Sequence, residues 1–537
     1  ADADLAFRFD PKGNVRPWGQ TISIKVQGGY LRQGDEVVLV FGDRRQRSPG
    51  IRMQTFCEKR FGFKVLVDPV ATYTYVDVPL SKTVEIAPGP PSSCVVTSPT
   101  VRRVGERFSV RVKLEDVWGN PTSDEATEVR LGASAQVRNL PSTLRLSGEP
   151  VTMIHDLSVS EPLAMRFTVS HPSIGEAVSN PLIVVSESPQ YHFWADLHGQ
   201  SEETIGTKTA QDYFRFAKDL AGLDVAAHQG NDFQITGEFW NQLQSLTAEF
   251  LEEGRFVTFP GYEWSANTAL GGDHNVFFPS EGSSIRRSSH ALVRDDSDVD
   301  RDCHHIKDLF GVLEKEEALV FAHAGGRFSD LSHHSPRLQR SVELHSAWGT
   351  FEWLLEDALK KGYRLGIVCN SDGHKGRPGA SYPGASTFGS YGGLTCVRAR
   401  SLTREAIWEA YQLRHHYGTT GHRPFLHLSA RLPRRGFRFR DDPAANRRAG
   451  TWVDEAEPGD IVALVRRSID WRSEVSEDSL VLRIDYVGTA PVYKLEIRNG
   501  LETVYTIRPF EDADVGKRIR VTWGGANVLG RGRQVNW

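Results

Sequence analysis

Residues 191–201 read YHFWADLHGQS, an apolar run that ends in a carboxylate and an imidazole before a polar loop. The hydrophobic residues 193–195 predict a short buried strand, and Asp196 and His198 fall where such a strand enters a βα loop. A segment with helical periodicity begins soon afterwards, near Thr209. We therefore interpret this stretch as a strand that carries metal-type ligands at its carboxyl end.

The same change from apolar strand to ligand-type side chains recurs along the chain. It is seen again in 223–232 (LDVAAHQGND), 256–263 (FVTFPGYE), 318–327 (ALVFAHAGGR), 342–345 (VELH) and 365–374 (LGIVCNSDGH). Repeated strands with functional side chains at their carboxyl ends are typical of a β/α barrel active site.

Length and charge limit the classes of function. A chain of 537 residues is too long for one core and predicts two to four domains, at roughly 100 to 200 residues each. The formal charge of -4 gives no basic surface, so we do not expect nucleic acid as a partner. No apolar run reaches the length of about 20 residues that a membrane helix needs. We expect a small-molecule substrate instead.

The distribution of cysteine and histidine is informative. Five cysteines without CxxC spacing fit a reduced, cytoplasmic protein better than a disulfide framework or a structural zinc cluster, although export is left open. Twelve of the 18 histidines fall between His192 and His374. The chain begins without Met and stops at Trp537 without a polar tail, so we expect the native chain to differ at its ends.

Periodicity divides the chain into three predicted regions. Short alternating strands predict a β-sandwich-like region, of one or two units, over residues 1–187. Strands alternating with amphipathic helices predict a β/α barrel over 188–425, and strands return in a β-rich region over 426–537. The strand candidates outside the barrel include 36–41 and 519–523. The helix candidates are 209–221, 238–253, 350–361 and 403–413, and Asn499-Gly500 predicts a hairpin.

The middle region contains a set of imidazoles and carboxylates that could bind metal. They are His198, His228, Asp232, Glu263, Asp273, His274, His323, His345, Asp372 and His374. A single histidine at a strand end is more often hydrogen-bonded structure than a ligand, but several with interleaved carboxylates favour metal. Such mixed ligands suit Zn, Mn or Fe, and more than four of them would support two or three divalent ions. His345 and Asp232 fit equally well as partners that hold a ligand imidazole in place.

Four of these stretches, in this order, resemble the motifs of the PHP (polymerase and histidinol phosphatase) superfamily, and more closely its uncharacterised bacterial branch, domain of unknown function 3604. They are Asp196-Leu-His198, Gly261-Tyr-Glu263, Ala322-His323 with Arg327, and Ser371-Asp372-Gly-His374. The resemblance covers roughly 188–537. It implies a distorted (β/α)7 barrel, a site of two or three metals, and phosphoester hydrolysis. Its implied ligands are His198, Glu263, His323, Asp372 and His374.

Two departures from the family pattern concern the metals. The first motif is usually His-x-His, but the second position here is Gln200. The second motif is usually Asp-His, but here the run extends from His228 to Asp232. Because an amide binds metal poorly compared with an imidazole, one metal position is lost, shifted or supplied by His228. Gln200 and Asp232 then become candidates for substrate contact.

Three cations follow the ligand motifs. Arg327 comes shortly after His323, and Lys375 and Arg377 come just after His374. At the mouth of a barrel they would hold a phosphate, sulfate or carboxylate, whereas the alternative is that they are solvated loop charges.

Together these patterns predict a hydrolase with a di- or trinuclear site, in which a metal-bound hydroxide attacks phosphorus or an acyl carbon. Arg327 or Arg377 would stabilise the developing charge, and His274 or His345 would protonate the leaving group. Two alternatives stay open. One is hydrolysis or elimination on a glycoside or ester, and the other is a non-catalytic binding protein with a degenerate metal site. The flanking β regions form either a substrate wall or contacts in a homo-oligomer.

Overall fold

The computed structural model describes residues 3–11, 13, 20–80, 82–123, 127–146, 148–187, 190–382, 390–464, 480–514 and 516. It is rich in β-structure, with several separate sheets and a few short helices in the middle of the chain. Among these residues, no helix combines the length and apolar character needed to cross a bilayer. All five cysteines are free thiols, as the sequence predicts.

The first part of the chain forms small antiparallel strand pairs, namely β1 with β2, β3 with β6, and β4 with β5. The bounds are β1 Ala3–Asp10, β2 Thr21–Gly29, β3 Glu58–Gly62, β4 Val65–Val67, β5 Val76–Val78 and β6 Thr83–Ile86. The strand predicted over 36–41 is absent. These pairs leave large apolar side chains such as Phe7 exposed.

Ten strands follow and surround one apolar core. They form three sheets with the orders β11-β10-β14-β15, β12-β9-β7 and β13-β16-β8. In β9 the residues Phe108, Val110 and Val112 alternate with polar neighbours and are buried, as the period of two predicts. The bounds are β7 Ser93–Thr97, β8 Val101–Arg103, β9 Phe108–Glu115, β10 Glu128–Ala133, β11 Thr143–Arg145, β12 Val151–Leu157, β13 Leu163–Met165, β14 Phe167–His171, β15 Gly175–Val178 and β16 Leu182–Val185.

The middle of the chain holds eleven strands in two sheets, with the orders β19-β18-β17-β26-β27 and β20-β21-β22-β23-β24, and β25 beside β23. The bounds are β17 Tyr191–Asp196, β18 Val225–Ala227, β19 Val257–Phe259, β20 Gly261–Ser265, β21 Asp273–Phe277, β22 Leu319–Ala322, β23 Ser341–Ser346, β24 Gly349–Thr350, β25 Gly366–Cys369, β26 Leu394–Ala399 and β27 His416–Thr419.

The described strands do not close into the distorted (β/α)7 barrel that the family resemblance implies. One break lies at Pro260, between β19 and β20, because proline has no backbone N–H to give to a ladder. At the other break the Thr395 hydroxyl, rather than a ladder, joins β26 to β25: it accepts from the Cys369 N–H at 2.9 Å and donates to the Cys369 carbonyl at 2.8 Å. The β20–β21 and β21–β22 pairs are also antiparallel, unlike the strands of a β/α barrel.

Helices pack their apolar faces on these sheets. The bounds are α1 Ala210–Arg215, extended by a π-helical turn over Phe216–Ala221, α2 Gly237–Phe250, α3 Ile306–Leu313, α4 Glu352–Lys360 and α5 Arg404–Gln412. The four predicted helices are confirmed to within a few residues, and α3 was not predicted. Thr209 caps α1 by accepting a hydrogen bond from Asp212 N at 3.1 Å, and Gly222 ends the segment with a φ of 62°.

The last part returns to strands. The long strand β28 pairs with β29, β30 and β31, and β32 and β33 form the hairpin predicted at Asn499-Gly500. The bounds are β28 Phe425–Phe439, β29 Gly450–Ala456, β30 Ile461–Leu464, β31 Val481–Val487, β32 Leu495–Asn499 and β33 Glu502–Ile507. A strand predicted over 519–523 lies outside the described residues. The predicted domain boundaries stay predictions.

Candidate metal centre

Three buried side chains from the two middle sheets converge on one point. His198 follows β17, Glu263 lies in β20 and His323 follows β22. One potential ligand atom from each lies within 4.8 Å of the others. The rings of His198 and His323 stand edge to face with centroids 4.6 Å apart. This grouping of two imidazoles and a carboxylate could hold a metal ion.

A carboxylate behind His198 fixes the orientation of that ring. The Nδ1 of His198 lies 3.1 and 3.2 Å from the two carboxylate oxygens of Glu343, in β23. Asn370 donates to the same carboxylate at 2.6 Å. Burial by itself lowers the pKa of His198, but the charges of Asp372 and Glu343 outweigh burial and raise the pKa well above its ordinary value. Because Nδ1–H is directed at Glu343, Nε2 faces the cluster.

Two amides and one imidazole orient Glu263. Gln200 donates to its Oε2 at 3.1 Å, and Asn231 donates to the same oxygen at 2.9 Å. The other oxygen, Oε1, lies 3.5 Å from His323 Nε2. Burial by itself raises the pKa of Glu263, but the hydrogen bonds and charges of His198 and His323 hold it well below its ordinary range. Gln200 therefore positions the carboxylate rather than replacing a ligand imidazole.

Asp372 completes the group from the loop after β25. Its Oδ1 lies 3.3 Å from His198 Nε2. Its backbone φ of 44° is left-handed, which is uncommon outside glycine. Gly325 lies so close that a Cβ there would come within 3.0 Å of the Asp372 carboxylate and 3.1 Å of the His323 ring. The turn after β22 thus needs glycine to admit both side chains.

The donor set suits a divalent cation on chemical grounds. Among the described residues, Nε2 of His198 and both ring nitrogens of His323 are buried without a hydrogen-bond partner. Buried polar atoms are normally partnered, so these nitrogens indicate a missing acceptor or an ion. Burial by itself raises the pKa values of the neighbouring Glu263 and Glu343, but the surrounding imidazoles lower them, so these two carboxylates supply negative charge, whereas burial raises the pKa of Asp372 to about 7. A metal bound by His198, Glu263, His323 and Asp372 would satisfy both features.

His374 is buried near this group but is not one of the three grouped donors. Its carbonyl accepts a hydrogen bond from Thr207 N at 3.0 Å, and its ring centroid lies 6.2 Å from that of Trp348. Burial lowers the pKa of its imidazole to about 3. The structure therefore places His374 as a neutral ring beside the cluster, and its metal role stays a prediction.

Two predicted ligands, His228 and His274, lie outside the group of three donors. His228 accepts from Gly230 N at 3.2 Å through Nδ1 and lies 2.8 Å from Ser201 Oγ through Nε2, so both nitrogens are engaged. His274 points to the other side of its strand, where its ring packs against Trp264 and Phe310. Burial lowers the pKa of both imidazoles to about 3. They are neutral core histidines, and His274 is also unsuited to protonating a leaving group.

His345 and Asp232 belong to the surrounding framework. The two ring nitrogens of His345 lie 2.7 Å from Thr350 Oγ1 and 2.9 Å from the Tyr391 carbonyl, which leaves no nitrogen for a leaving group. Asp232 accepts from the N–H groups of Ser265, at 2.7 Å, and Ser288. Burial raises the pKa of Asp232 to about 7.

The predicted cations separate into two groups. Lys375 lies over the ring of Phe56, 4.6 Å from its centroid, and Arg377 donates to the carbonyl of Gly119. Both point away from the cluster, into the part of the chain before residue 187, so neither forms the predicted mouth. Arg327 is the exception. Its Nε donates to Asp273 at 2.7 Å, and it lines a cavity of about 500 Å³.

This cavity lies next to the cluster, because Asn231 donates both to Glu263 and, at 2.8 Å, to the hydroxyl of Ser265 in the cavity wall. It is lined by Phe233, Ser265, Ala266, Asn267, Leu270, Ser288, Ser289, His304 and Arg327. The guanidinium of Arg327 stacks over Phe233 at 5.7 Å. Most of the lining is polar or small, which suits a polar ligand.

Sequence reasoning missed the residues that support the ligands. Glu343 stands in the stretch VELH, where a carboxylate inside an otherwise apolar buried strand was the available signal. Asn275 lies with its amide nitrogen 3.0 Å from His198 Nδ1, although His274 beside it was predicted instead. Asn231 and Asn370 carried no signal, since a single asparagine after a strand usually belongs to a turn.

Comparison with known proteins gives a family match and distant relatives. A family model described as "Protein of unknown function (DUF3604)" matches residues 173–334. An uncharacterized protein of Chlamydia pneumoniae is 24% identical over 432 residues, which cover 74% of this chain and 67% of the relative. One from Chlamydia trachomatis is 23% identical over 446 residues, covering 77% of this chain and 69% of the relative. The family match contains His198, Glu263 and His323.

Solved structures show only slight likeness. A two-domain protein from Bacteroides vulgatus, described as containing a predicted PHP-like metal-dependent phosphoesterase, has a TM-score of 0.30 and 13% identity, over 47% of this chain and 83% of its own. Domains 4 and 5 of the S-layer protein SbsC have a TM-score of 0.14 and 17% identity, over 23% of this chain and 65% of their own.

Proposed function

We propose that this chain is a metal-dependent hydrolase whose metal ligands are His198, Glu263, His323 and Asp372. One observation carries the proposal. Buried imidazole nitrogens of His198 and His323, which have no hydrogen-bond partner among the described residues, converge with carboxylates that other side chains hold in place. His228, by contrast, has a protein partner for each ring nitrogen, the Gly230 N–H at Nδ1 and the Ser201 hydroxyl at Nε2. A divalent ion in such a site acts as a Lewis acid and lowers the pKa of a water molecule.

The residues around the ligands have separate tasks in this proposal. Glu343 holds His198 with Nε2 directed inward, and Gln200 and Asn231 keep Glu263 fixed. Such partners of metal ligands commonly affect both the orientation of the ligands and the affinity for the metal. All of these supporting residues are buried.

The substrate that we propose is a phosphoester, because Arg327 is the cation beside the cavity. Its Nε and backbone N are used by Asp273, and its Nη groups make no hydrogen bond among the described residues. A guanidinium edge suits the paired oxygens of a phosphoryl group and would stabilise negative charge that develops there. The leaving group would lie in the cavity between Phe233 and Asn267.

The metal count is part of the proposal. The described donors form one group, which is enough for one ion, and the two or three ions predicted from the family resemblance would need further donors such as His374. Mn, Zn and Fe all accept this mixture of nitrogen and oxygen ligands.

The test combines metal content with turnover. Plasma mass spectrometry on protein purified without chelator gives the equivalents of Mn, Fe and Zn, and the same sample is assayed with p-nitrophenyl phosphate, bis-p-nitrophenyl phosphate and p-nitrophenyl acetate. We expect at least one equivalent of metal and hydrolysis of a phosphate ester. Glu263→Gln and Asp372→Asn should abolish hydrolysis, whereas Glu249→Gln, on the exposed face of α2, should not.

Other outcomes decide between the alternatives. Turnover of the acetate alone would replace the phosphoester by a non-phosphate substrate. Tightly bound metal without turnover of any ester would favour a binding protein. Absence of metal even after reconstitution with Mn, Fe and Zn would refute the proposal.

A further inference from the structure

The loop that carries Asp372 is anchored from the inside by one carboxylate. We define residues 370–382 as the ligand loop. Asp196 accepts hydrogen bonds from two of its N–H groups, Ser371 at 2.9 Å and Gly379 at 2.8 Å. These contacts fix both ends of the turn around Asp372, but they do not touch its outer side.

The outer side of the ligand loop is held by a turn from a distant part of the sequence. Arg377 leaves the loop, and its guanidinium enters the turn 116–120. There it donates to the carbonyls of Gly119 and, at 3.5 Å, Trp118, and it lies 3.5 Å from Asn120 Oδ1. The side chain is 3% exposed, so this contact is buried.

Asn120 links that turn to a third segment. Its Nδ2 donates to the Thr55 carbonyl at 2.8 Å, and its Oδ1 accepts from Cys57 N at 3.0 Å. Asp116 closes the turn by accepting from Asn120 N at 2.9 Å. In the same place Lys375 lies over the ring of Phe56. Segment 55–57, turn 116–120 and the ligand loop therefore form one continuous, partly buried network.

This network bears on the metal centre because Asp372 adopts a left-handed φ. Residues other than glycine keep such a conformation only where their surroundings hold it. A loop free on its outer side would relax toward the common regions of backbone space and withdraw the Asp372 carboxylate from His198.

We propose that Arg377 and Asn120 are positioning residues for the candidate metal centre, which makes the part of the chain before residue 121 a required support of the site. The inference rests on the proposed function insofar as Asp372 is a metal ligand. The position of Arg377 in the sequence predicts contact with substrate. The inference gives Arg377 a different role, which is to hold the ligand loop.

The test compares two arginine variants that differ in which loop they support. Arg377→Met removes the donors and keeps a long apolar side chain. The matched control is Arg111→Met. Arg111 also spans the same two parts of the chain and donates to the backbone carbonyls of Asp219 and, at 3.3 Å, Lys218. Its acceptors lie near the end of a helical segment that contains no candidate ligand.

Two readouts are measured on each full-length variant. Competition with a chromophoric chelator gives the affinity for Zn²⁺ and Mn²⁺, and hydrogen exchange with mass spectrometry follows peptides from 370–382 in the metal-free protein. For Arg377→Met we expect metal affinity to fall by about 10- to 100-fold, as for other partners of ligands. We also expect faster exchange in the ligand loop. For Arg111→Met we expect wild-type values of both.

The outcomes separate this inference from the proposed function. Wild-type metal affinity and exchange rates in Arg377→Met would overturn the inference. Equal losses in both variants would also overturn it, because the contact of Arg377 would then only hold the two parts of the chain together. If the wild type binds no metal, the proposed function fails and the exchange rates alone decide the inference. Should Arg377→Met not fold, Arg377→Lys is used in the same assays. Lysine keeps the charge but lacks the fork of donors, so an intermediate loss is expected and wild-type behaviour would overturn the inference.

Discussion

At the scale of single residues, Glu343 decides how His198 can act. A neutral imidazole has one donor and one acceptor nitrogen, and the partner of one determines the role of the other. With Nδ1 facing Glu343 at 3.1 Å, Nε2 faces Glu263 and Asp372, and the deprotonated Nε2 would offer its lone pair to a metal placed between them. A carboxylate in this place also increases the basicity of the ring, which strengthens metal binding.

Glu343→Gln should weaken metal binding while the fold persists. The amide oxygen of glutamine still accepts from His198 Nδ1–H, but the negative charge is lost, so we expect affinity to fall by about 10- to 100-fold. Chelator competition measures the change. Because Gln has the same shape as Glu, the far-UV circular dichroism should match the wild type. An affinity within twofold of wild type would contradict the role assigned to Glu343.

Metal binding should weaken as the pH falls. In the metal-free protein, burial lowers the pKa of both histidines, but the carboxylates Asp372 and Glu343 at His198, and Glu263 at His323, raise it above the ordinary value. Protons therefore compete for both imidazoles at pH values where a free histidine is already neutral. We expect the metal dissociation constant to rise by about tenfold or more per pH unit below the raised pKa values.

The raised histidine pKa values have the opposite effect on the stability of the metal-free protein, which increases as the pH falls. A raised histidine pKa adds stability that is complete below the unfolded value of about 6.5 and is lost as the pH rises through the folded value. The metal-dependent increase in Tm should therefore shrink from pH 8 to pH 6. Thermal unfolding with and without chelator at both pH values measures this difference, and an increase that grows on acidification would be inconsistent with imidazole ligands.

At the scale of elements, the antiparallel pair β20–β21 separates the site from the core. Glu263 lies opposite Asn275, and both face the cluster, whereas Trp264 lies opposite His274 and both face the apolar core. Successive side chains of a strand point to opposite faces of the sheet. A shift of one residue in the pairing of β20 with β21 would therefore turn the side chains that now face the metal centre toward the core.

His274→Phe should therefore retain metal. Its ring already packs against Trp264 and Phe310, and phenylalanine removes a buried nitrogen that has no hydrogen-bond partner among the described residues. We expect unchanged metal content and equal or slightly higher Tm. The matched variant His323→Phe should lose the metal. Plasma mass spectrometry on both proteins distinguishes the two positions, and metal loss in His274→Phe would place that imidazole in the site.

At the scale of the whole molecule, the candidate centre joins the two middle sheets. His198 comes from the sheet that contains β17, whereas Glu263 and His323 come from the sheet that contains β20 and β22. Between the ends of these sheets at β19 and β20 there is no ladder. A metal bound to ligands from both sheets would therefore add to the few backbone hydrogen bonds that join them beside the site, from Glu263 N to the Gly230 carbonyl and from Gln200 N to the Gly373 carbonyl, each 2.9 Å long.

Metal should thus stabilise the fold as well as enable chemistry. An ion that binds only the folded protein adds about 2.7 kcal/mol at a free concentration 100 times its dissociation constant. We expect a higher Tm with Mn²⁺ or Zn²⁺ than with chelator, and no such difference for Glu263→Gln. Differential scanning calorimetry measures both, and an equal increase in the variant would show that the ion binds elsewhere.

Local patterns in the sequence were sufficient for much of this description. The strand-to-loop transitions, the four predicted helices and the hairpin at Asn499-Gly500 depend on periodicity and turn chemistry, which act over a few residues. They also indicated the neighbourhood of the site, because His198, His323 and Asp372 follow apolar strands and Glu263 lies four residues beyond the apolar strand β19. The barrel that these patterns predict is not closed by the described strands, because strand pairing depends on partners that are distant in sequence.

Only the tertiary structure decided which of the predicted residues act together. His274 and Asn275 are adjacent in sequence but lie on opposite faces, and the pairing of β20 with β21 determines which one meets His198. Arg377 is three residues from His374, yet the turn at Gly119 draws it away from the metal centre. The sequence determined the local elements and the types of ligand. The packing of distant segments decided the direction of each side chain, because burial, register and long-range hydrogen bonds exist only in the folded chain.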